Sequence, residues 1–471
     1  MTQLADAPVA TKAASKMKTD PKQAHLDNHA VFRDGAPGPA WLAELRDGAI
    51  RTFDRNGLPH PKAEAWRWTK HRPVSTGFFA LAEPDEAAAG PIVAEFGFAN
   101  AAAAQVVVVD GRFSREMSTL DGLPAGVEVL DLIEAAEAEP GEVQRHLGRH
   151  ADAEQNPFVA LNTAFIAGGV FVRVAAGAKV DRPIHLLFVQ TGTAAADRPA
   201  MACPRALIVA GDRAEFTVVE TFAGPEGVTY FTNAVTEVVA GEDCVIDHNT
   251  LNADGRAAFH VATMETTIGA RTRFYDHSCT IGGRMTRNDL RVHLAGEAAD
   301  ATLNGVVLLD GDQHCDNHTL LDHQYPNCPS YELYKHVLDE RASGVFKGQI
   351  FVHQRAQKTN AVQNSRSLLL SDTATMNSQP ALEIYADDVK CTHGSTTGPL
   401  DEGSIFYLNS RGVSTETARR LLTYAFAADV TRRIKVAPVR ERVEHYMARQ
   451  HGLPTDFRIQ DLAEATEDVV F

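Results

Sequence analysis

The spacing of apolar positions changes twice along the chain. Between residues 39 and 56 they recur every three or four residues, and Trp41, Leu42, Leu45, Ala49 and Phe53 fall on one face of a 3.6-period helix. Asn56-Gly57 ends that helix, and Pro59 and Pro61 prevent its continuation. The segment AEAWRWTKHRP then places two tryptophans close together, which reads as an anchor onto the next unit. A stretch rich in Ala, Glu and Pro near 83–92 reads as a linker. From about 105 to 395 long helical periodicity vanishes. Short runs such as VVVVD (106–110) and alternations such as AEFTVVETF (214–222) take its place, the pattern of strands with a buried face. After residue 398 the helical period returns. Ser414 is placed as an N-cap, Ala418, Leu421, Leu422, Ala425 and Phe426 form one face of a helix, and a further helix covers roughly 438–451.

Within the strand-rich region a repeat recurs: an apolar residue, a glycine, a short polar step, then a strand. It appears at Gly177, Gly211, Gly241, Gly269 and Gly296, at intervals of 34, 30, 28 and 27 residues, and LDERASGVF (338–346) fits the same step with an insertion before it. Strand repeats of this length that cannot bury an apolar face alone must stack, which predicts a solenoid of β coils with glycine supplying positive φ at the corners. The Asn and Ser of NAVQNSRS (360–367) suit side-chain ladders between coils. A β-sandwich is the competing fold, but its Asn-Gly hairpin signals are scarce here. The expectation is a mainly β protein with a β-helix core (96–398) between helical units at 39–95 and 399–471, and a disordered tail over 1–38.

Composition narrows the function classes. The 471 residues carry 61 acidic and 45 basic side chains, a formal net charge of −16, which repels nucleic acid and anionic membrane surfaces. No apolar run reaches the length of a membrane span, and the first residues lack the apolar region of a secretory signal. The six cysteines are scattered through a long chain, which reads as reduced thiols in the cytoplasm.

Two stretches could carry chemistry. QHCDNHTLLDHQYPNC (313–328) holds His314, Cys315, His318, His323 and Cys328, with His336 nearby. On a strand His314, Asp316 and His318 share a face; they are either a metal site or structural polar residues. In DDVKCTHGSTTG (387–398), Cys391 and His393 point the same way from a strand, their Cα atoms about 6.5–7 Å apart. Two ligands do not complete a zinc site, so the pair is either half of a shared site or two ordinary strand residues. His248 and His277, seven and eight residues after their glycines, read either as a stacked position on successive coils or as a solvated face. The chain contains no GxxxxGK[ST] phosphate loop, no HExxH and no GxSxG.

The blocks KTNAVQNSRSLLLSDTATMNSQPALEIYADDVKCTHGSTTGPLDEGSIFYLNSRGVSTETARRLLTYAFAADV (358–430), QHCDNHTLLDH with SYELYKHVLDERASGVFKGQI (313–350), and GLPHPKAEAWRWT (57–69) resemble the SufD branch of the SufB/SufD family of iron–sulfur cluster assembly subunits. The resemblance implies a right-handed parallel β-helix between helical units. It implies a heterodimer with a SufB paralogue, the isolated chain being able to self-pair instead, and docking of the SufC ATPase on the C-terminal helices. It further implies a transient iron–sulfur cluster built in the complex, a tie to iron acquisition, and reduced flavin associated with the complex. No cofactor is expected on the isolated chain. The DDVKCxHG motif makes His393 and, more weakly, Cys391 the candidate iron or cluster ligands at the SufB interface. Where SufB carries a cysteine in the segment aligned with QNSRSLL, this chain has Ser365, which argues for a non-catalytic scaffold without SufB's sulfur-accepting thiol. The alternative is a β-helix enzyme, or a β-barrel metal enzyme using His314, Asp316 and His318.

Overall fold

The computed structural model of the protein describes residues 20–60, 62–194 and 198–450. Its centre is a two-sheet β-solenoid, in which strands alternate between the sheets and each pairs in parallel with the strand one coil away. Strands β1 (Ala104–Val109), β2 (Val170–Val174) and β3 (Ile184–Val189) open it. The first sheet continues through β4 (Arg205–Ala210), β6 (Tyr230–Ala240), β8 (Phe259–Ile268), β10 (Met285–Leu294), β12 (His314–His323) and β14 (Ser343–Val352). The second continues through β5 (Glu215–Ala223), β7 (Val245–Ala253), β9 (Arg273–Thr280), β11 (Asp300–Leu309), β13 (Pro329–Leu338), β15 (Asn360–Leu369) and β16 (Lys390–Gly398). Antiparallel strands at Arg112–Thr119 and Val127–Asp131 close the first end of the solenoid.

The inner faces meet in one core that includes Phe216, Ile246, Phe274, Leu290, Val292, Phe346 and Ile350. Each side chain of this size contributes roughly 1.5–3 kcal/mol when fully buried, so stacking supplies what a lone coil lacks.

The repeat glycines mark the corners for a different reason from the one expected. Gly177 does have positive φ, at 74°. At the next four corners the left-handed residue lies two positions later, at Arg213, Asp243, Arg271 and Ala298, with φ of 57–60°. Glycine stands there because the coils nearly touch. A Cβ on Gly269 would lie 2.6 Å from the Gly241 carbonyl oxygen, and one on Gly296 would lie 2.1 Å from the Ala270 nitrogen. Gly296→Ala should therefore destabilise the fold by about 1–3 kcal/mol, the usual cost of overpacking. Ala298→Gly, at φ 57°, should leave stability unchanged or raise it, because relief of about 1–2 kcal/mol of left-handed strain offsets glycine's entropy. Urea unfolding of the two variants distinguishes close approach from backbone handedness as the glycine's role.

Helix α1 (Pro21–Arg33) lies within the span expected to be disordered. Asp20 caps it, and its buried face carries His25 and His29 against Phe53 and Phe165, so no apolar stripe announced it. Helix α2 (Ala40–Asn56) falls where the periodicity placed it, stopped by Gly57 at φ 65°. The expected linker is instead helix α3 (Glu86–Phe96), capped by the Asp85 side chain. Three helices also interrupt the region read as strands: α4 (Leu132–Ala138), α5 (Pro140–His146) and α6 (Pro157–Ala164). Every residue of α6 after Pro157 is buried, so it shows no amphipathic period.

The outer face of the first sheet packs against this N-terminal material through Phe231, Phe259, Val261 and Met285. Of the paired tryptophans, Trp66 is the anchor and Trp68 stays exposed. The outer face of the second sheet packs against α8 (Thr415–Thr431) and α9 (Ala437–Gln450), which bury Tyr424, Ala427, Val439 and Val443 against Leu251, Val306 and Leu333. Lys335 ties the two together, donating to the Phe426 carbonyl and pairing with Asp429 at 2.8 Å. Ser414 caps α8 as expected. The C-terminal helices thus flank the solenoid and leave its last strand open.

Candidate functional site at the open end of the solenoid

β16 is the terminal strand of its sheet, paired on one edge with β15. Because side chains alternate along a strand and the coils are in register, each inward position forms a row running through the solenoid. One such row contains His248, Asp276, Leu303, Glu332, Gln363 and, on β16, His393. The row beside it ends in Ala361 and Cys391. Both candidate ligands therefore belong to the inward-facing set of a coil that no further coil covers. His393 is exposed; Cys391 is half-buried against the core, and burial pushes its thiol up. Beside them, Ile384 and Tyr385 leave an apolar patch at the same end. Unpaired strand edges and exposed apolar side chains are the features that invite another chain.

The second candidate stretch forms a structural network. β12 does place His314, Asp316 and His318 on one face, the outer one. There Arg287 of β10 pairs with Asp316 at 3.0 Å and with Asp289 at 2.8 Å. His318 sits 3.0 Å from Asp316, and Thr69 donates to the same carboxylate. Burial alone would raise the Asp316 carboxyl, but Arg287 and His318 outweigh it and hold it far below the usual range. Arg287 also donates to the Ala65 carbonyl and lies 3.8 Å over the Trp66 ring. This charge cluster clamps the Trp66 segment onto the solenoid. His314 accepts from the Lys70 backbone and contacts Ser343, while His323 bonds Ser330. Cys315 and Cys328 are buried, their thiols pushed up to about 12 and 11. Among the described residues no group of three or more His, Cys, Asp or Glu side chains is arranged to hold a metal ion.

The solvated reading of His248 and His277 is overturned, since both are buried. His248 lies inside the solenoid between Asp276 at 2.7 Å and Glu220 at 3.1 Å. Burial would lower its pKa, but the hydrogen bonds to the two carboxylates outweigh it and raise it to about 10, so it is a buried imidazolium. His277 faces outward one position later and lies under the C-terminal unit, 3.7 Å from Asp247. The interior is thus partly polar, which the strand pattern did not announce. It also includes Glu332, pushed up to about 7 by burial, and Gln363, which donates to it at 2.6 Å. Ser365, the position of interest for a sulfur acceptor, is fully buried in an inward row beneath Ser395 of β16. The Asn and Ser of 360–367 stand in register with the next strand, Ser365 opposite Ser395, and a hydrogen-bonded Asn pair joins Asn288 and Asn317 on adjacent strands. Among the described residues no helix is long and apolar enough to cross a membrane.

Comparison with known proteins places this geometry. A family model described as the SufBD core domain of SUF-system Fe–S cluster assembly matches residues 190–426, and one described as the SufBD N-terminal region matches 27–186. An iron–sulfur cluster assembly SufBD family protein of Synechocystis is 31% identical over 413 residues, covering 85% of this chain and 89% of the relative. The iron–sulfur cluster assembly protein SufD of Escherichia coli is 27% identical, with 83% and 88% covered, and SufD of Bacillus subtilis is 25% identical, with 89% and 96% covered. A β-solenoid between helical units, matched along nearly its whole length by these models and relatives, makes this chain a member of the SufBD family of SUF-system iron–sulfur cluster assembly proteins.

Proposed function

We propose that this chain is a non-catalytic scaffold subunit of SUF iron–sulfur cluster assembly, contributing half of a cluster or iron site at the open end of its solenoid. One observation carries the reading: His393 and Cys391 stand on an uncovered terminal strand, in rows that would otherwise point into the next coil. Thiolate and imidazole suit iron–sulfur chemistry, and two such ligands require others from outside the chain. A SufB-type paralogue stacked on β16 would supply them and bury the Ile384–Tyr385 patch. The C-terminal helices, which present Phe406 at 73% exposure on α7 (Glu402–Asn409), are the docking unit for a SufC-type ATPase. That partner brings the nucleotide chemistry whose phosphate loop is missing from this sequence. In this reading the cluster is cargo that forms in the complex, and reduced flavin associates with the complex.

Co-expression of the tagged chain with a SufB-type and a SufC-type protein tests this. The expected result is a three-component complex that acquires iron and sulfide only when all parts are present. A chain that elutes alone, holds stoichiometric metal and turns over a small molecule would overturn it in favour of a metal-dependent enzyme.

A further inference from the structure

We propose that Gln363 is a positioning residue for His393: its side-chain carbonyl accepts a hydrogen bond from one ring nitrogen of His393 and so fixes which nitrogen faces outward. The inference rests on the reading of His393 as a ligand and adds the group behind it. Gln363 and His393 are direct cross-strand neighbours in one inward row, where strands lie about 4.8 Å apart. The Gln363 side chain is fully buried and its two ends are unequally used. Its Nε2 donates backwards to Glu332 at 2.6 Å, whereas its Oε1 is buried with no partner. An orphaned amide oxygen costs about 1–3 kcal/mol, so the native protein should find it a donor. The row leaves one side chain on the far side of that amide from Glu332, His393, which itself makes no hydrogen bond to the described residues.

The amide's position is built into the opposite sheet. A Cβ on Gly348 of β14 would lie 2.2 Å from the Gln363 Nε2 and 2.8 Å from the Phe346 ring, so glycine opens the space the amide occupies. Glu332 behind it, with Thr319 of β12 nearby, completes the support. An imidazole that ligates a metal through one nitrogen ordinarily donates the other N–H to a carbonyl or carboxylate, which sets its tautomer and ring orientation. Gln363 is placed to be that acceptor.

The test reads the tautomer directly, without cluster or partner. Nitrogen-15 histidine labelling of the full chain, with the His393 signals assigned by their loss in His393→Ala, reports the protonation of each ring nitrogen. The spectra are taken well above pH 7, where the Glu332 carboxylate is ionised and accepts from the amide. Wild type should show one dominant neutral tautomer. Gln363→Leu should raise the minor tautomer severalfold. Should Gln363→Leu fold poorly, Gly348→Ala displaces the amide instead and should give the same mixing. An unchanged ratio in the folded Leu variant, or in the Ala variant if the Leu variant fails, overturns the proposal. Because no cluster is involved, a His393→Ala variant with normal cluster content would sink the ligand reading and leave this result to stand or fall by itself.

Discussion

His393→Ala will leave the chain's assembly with SUF partners unchanged and cost the fold no more than about 1–3 kcal/mol, that of one orphaned amide oxygen, while lowering the cluster content of the complex by at least about tenfold, the scale on which loss of metal-shell groups acts. The separation of the two effects follows from position. His393 is exposed on the terminal strand and makes no hydrogen bond to the described residues, so its removal opens no cavity and orphans no ionised partner. Cys391 differs: it is half-buried against the core, so Cys391→Ala should lower cluster content less and cost some stability. Iron and acid-labile sulfide per purified complex, alongside thermal unfolding of the isolated variants, measure both quantities.

Glu237→Leu will destabilise the fold by about 3–5 kcal/mol, the cost of leaving one member of a buried ion pair behind. Arg205 and Glu237 pair across β4 and β6 with no solvent exposure of either side chain. Glu237 also accepts from the backbone N–H groups of Gly148, Arg149, His150 and Ala151, and Arg205 donates to Asn162 and Thr163. Burial would raise the Glu237 carboxyl, but Arg205 and the backbone donors outweigh it and hold it below its usual range. The pair therefore fastens the segment between α5 and α6 onto the solenoid's outer face. Arg205→Met combined with Glu237→Leu should recover part of the loss, since the uncompensated guanidinium is gone while the four backbone donors stay unsatisfied. Urea unfolding of the two singles and the double closes this cycle.

The solenoid was readable because its repeat is local. Each coil carries its own corner signal and alternating strands, so the Gly211 to Gly296 steps announced stacking even though the glycines serve close approach more than handedness. Helix α2 was readable from one apolar stripe; α6 was not, because burial on every side erases the stripe, and α1 was not, because histidines fill its buried face. At the site, period-two alternation put Cys391 and His393 on a common face. That their face lies open depends on β16 being the last strand, a property of the whole stack that no local pattern expresses. The polar bore was missed for a related reason. Glu332 stands between Tyr331 and Leu333 as a solvent-facing residue would, Gln363 opens a polar run with Asn364 and Ser365, and only closure of the second sheet turns that row inward. The 313–328 stretch misled in the opposite sense: its histidines and acids look like ligands in one dimension, but Arg287, from the neighbouring coil, takes up Asp316, and His293 and His353 take up Asp322.

The central claim is that a cluster is held across the boundary between this chain and a partner by a side chain on β16. Reduced cluster on the reconstituted complex, in which only this chain carries nitrogen-15 histidine, should show a hyperfine coupling from a directly bound imidazole nitrogen, and that coupling should vanish in His393→Ala. A complex that holds a full, paramagnetic cluster with no such coupling, or with one that survives the substitution, would contradict the account.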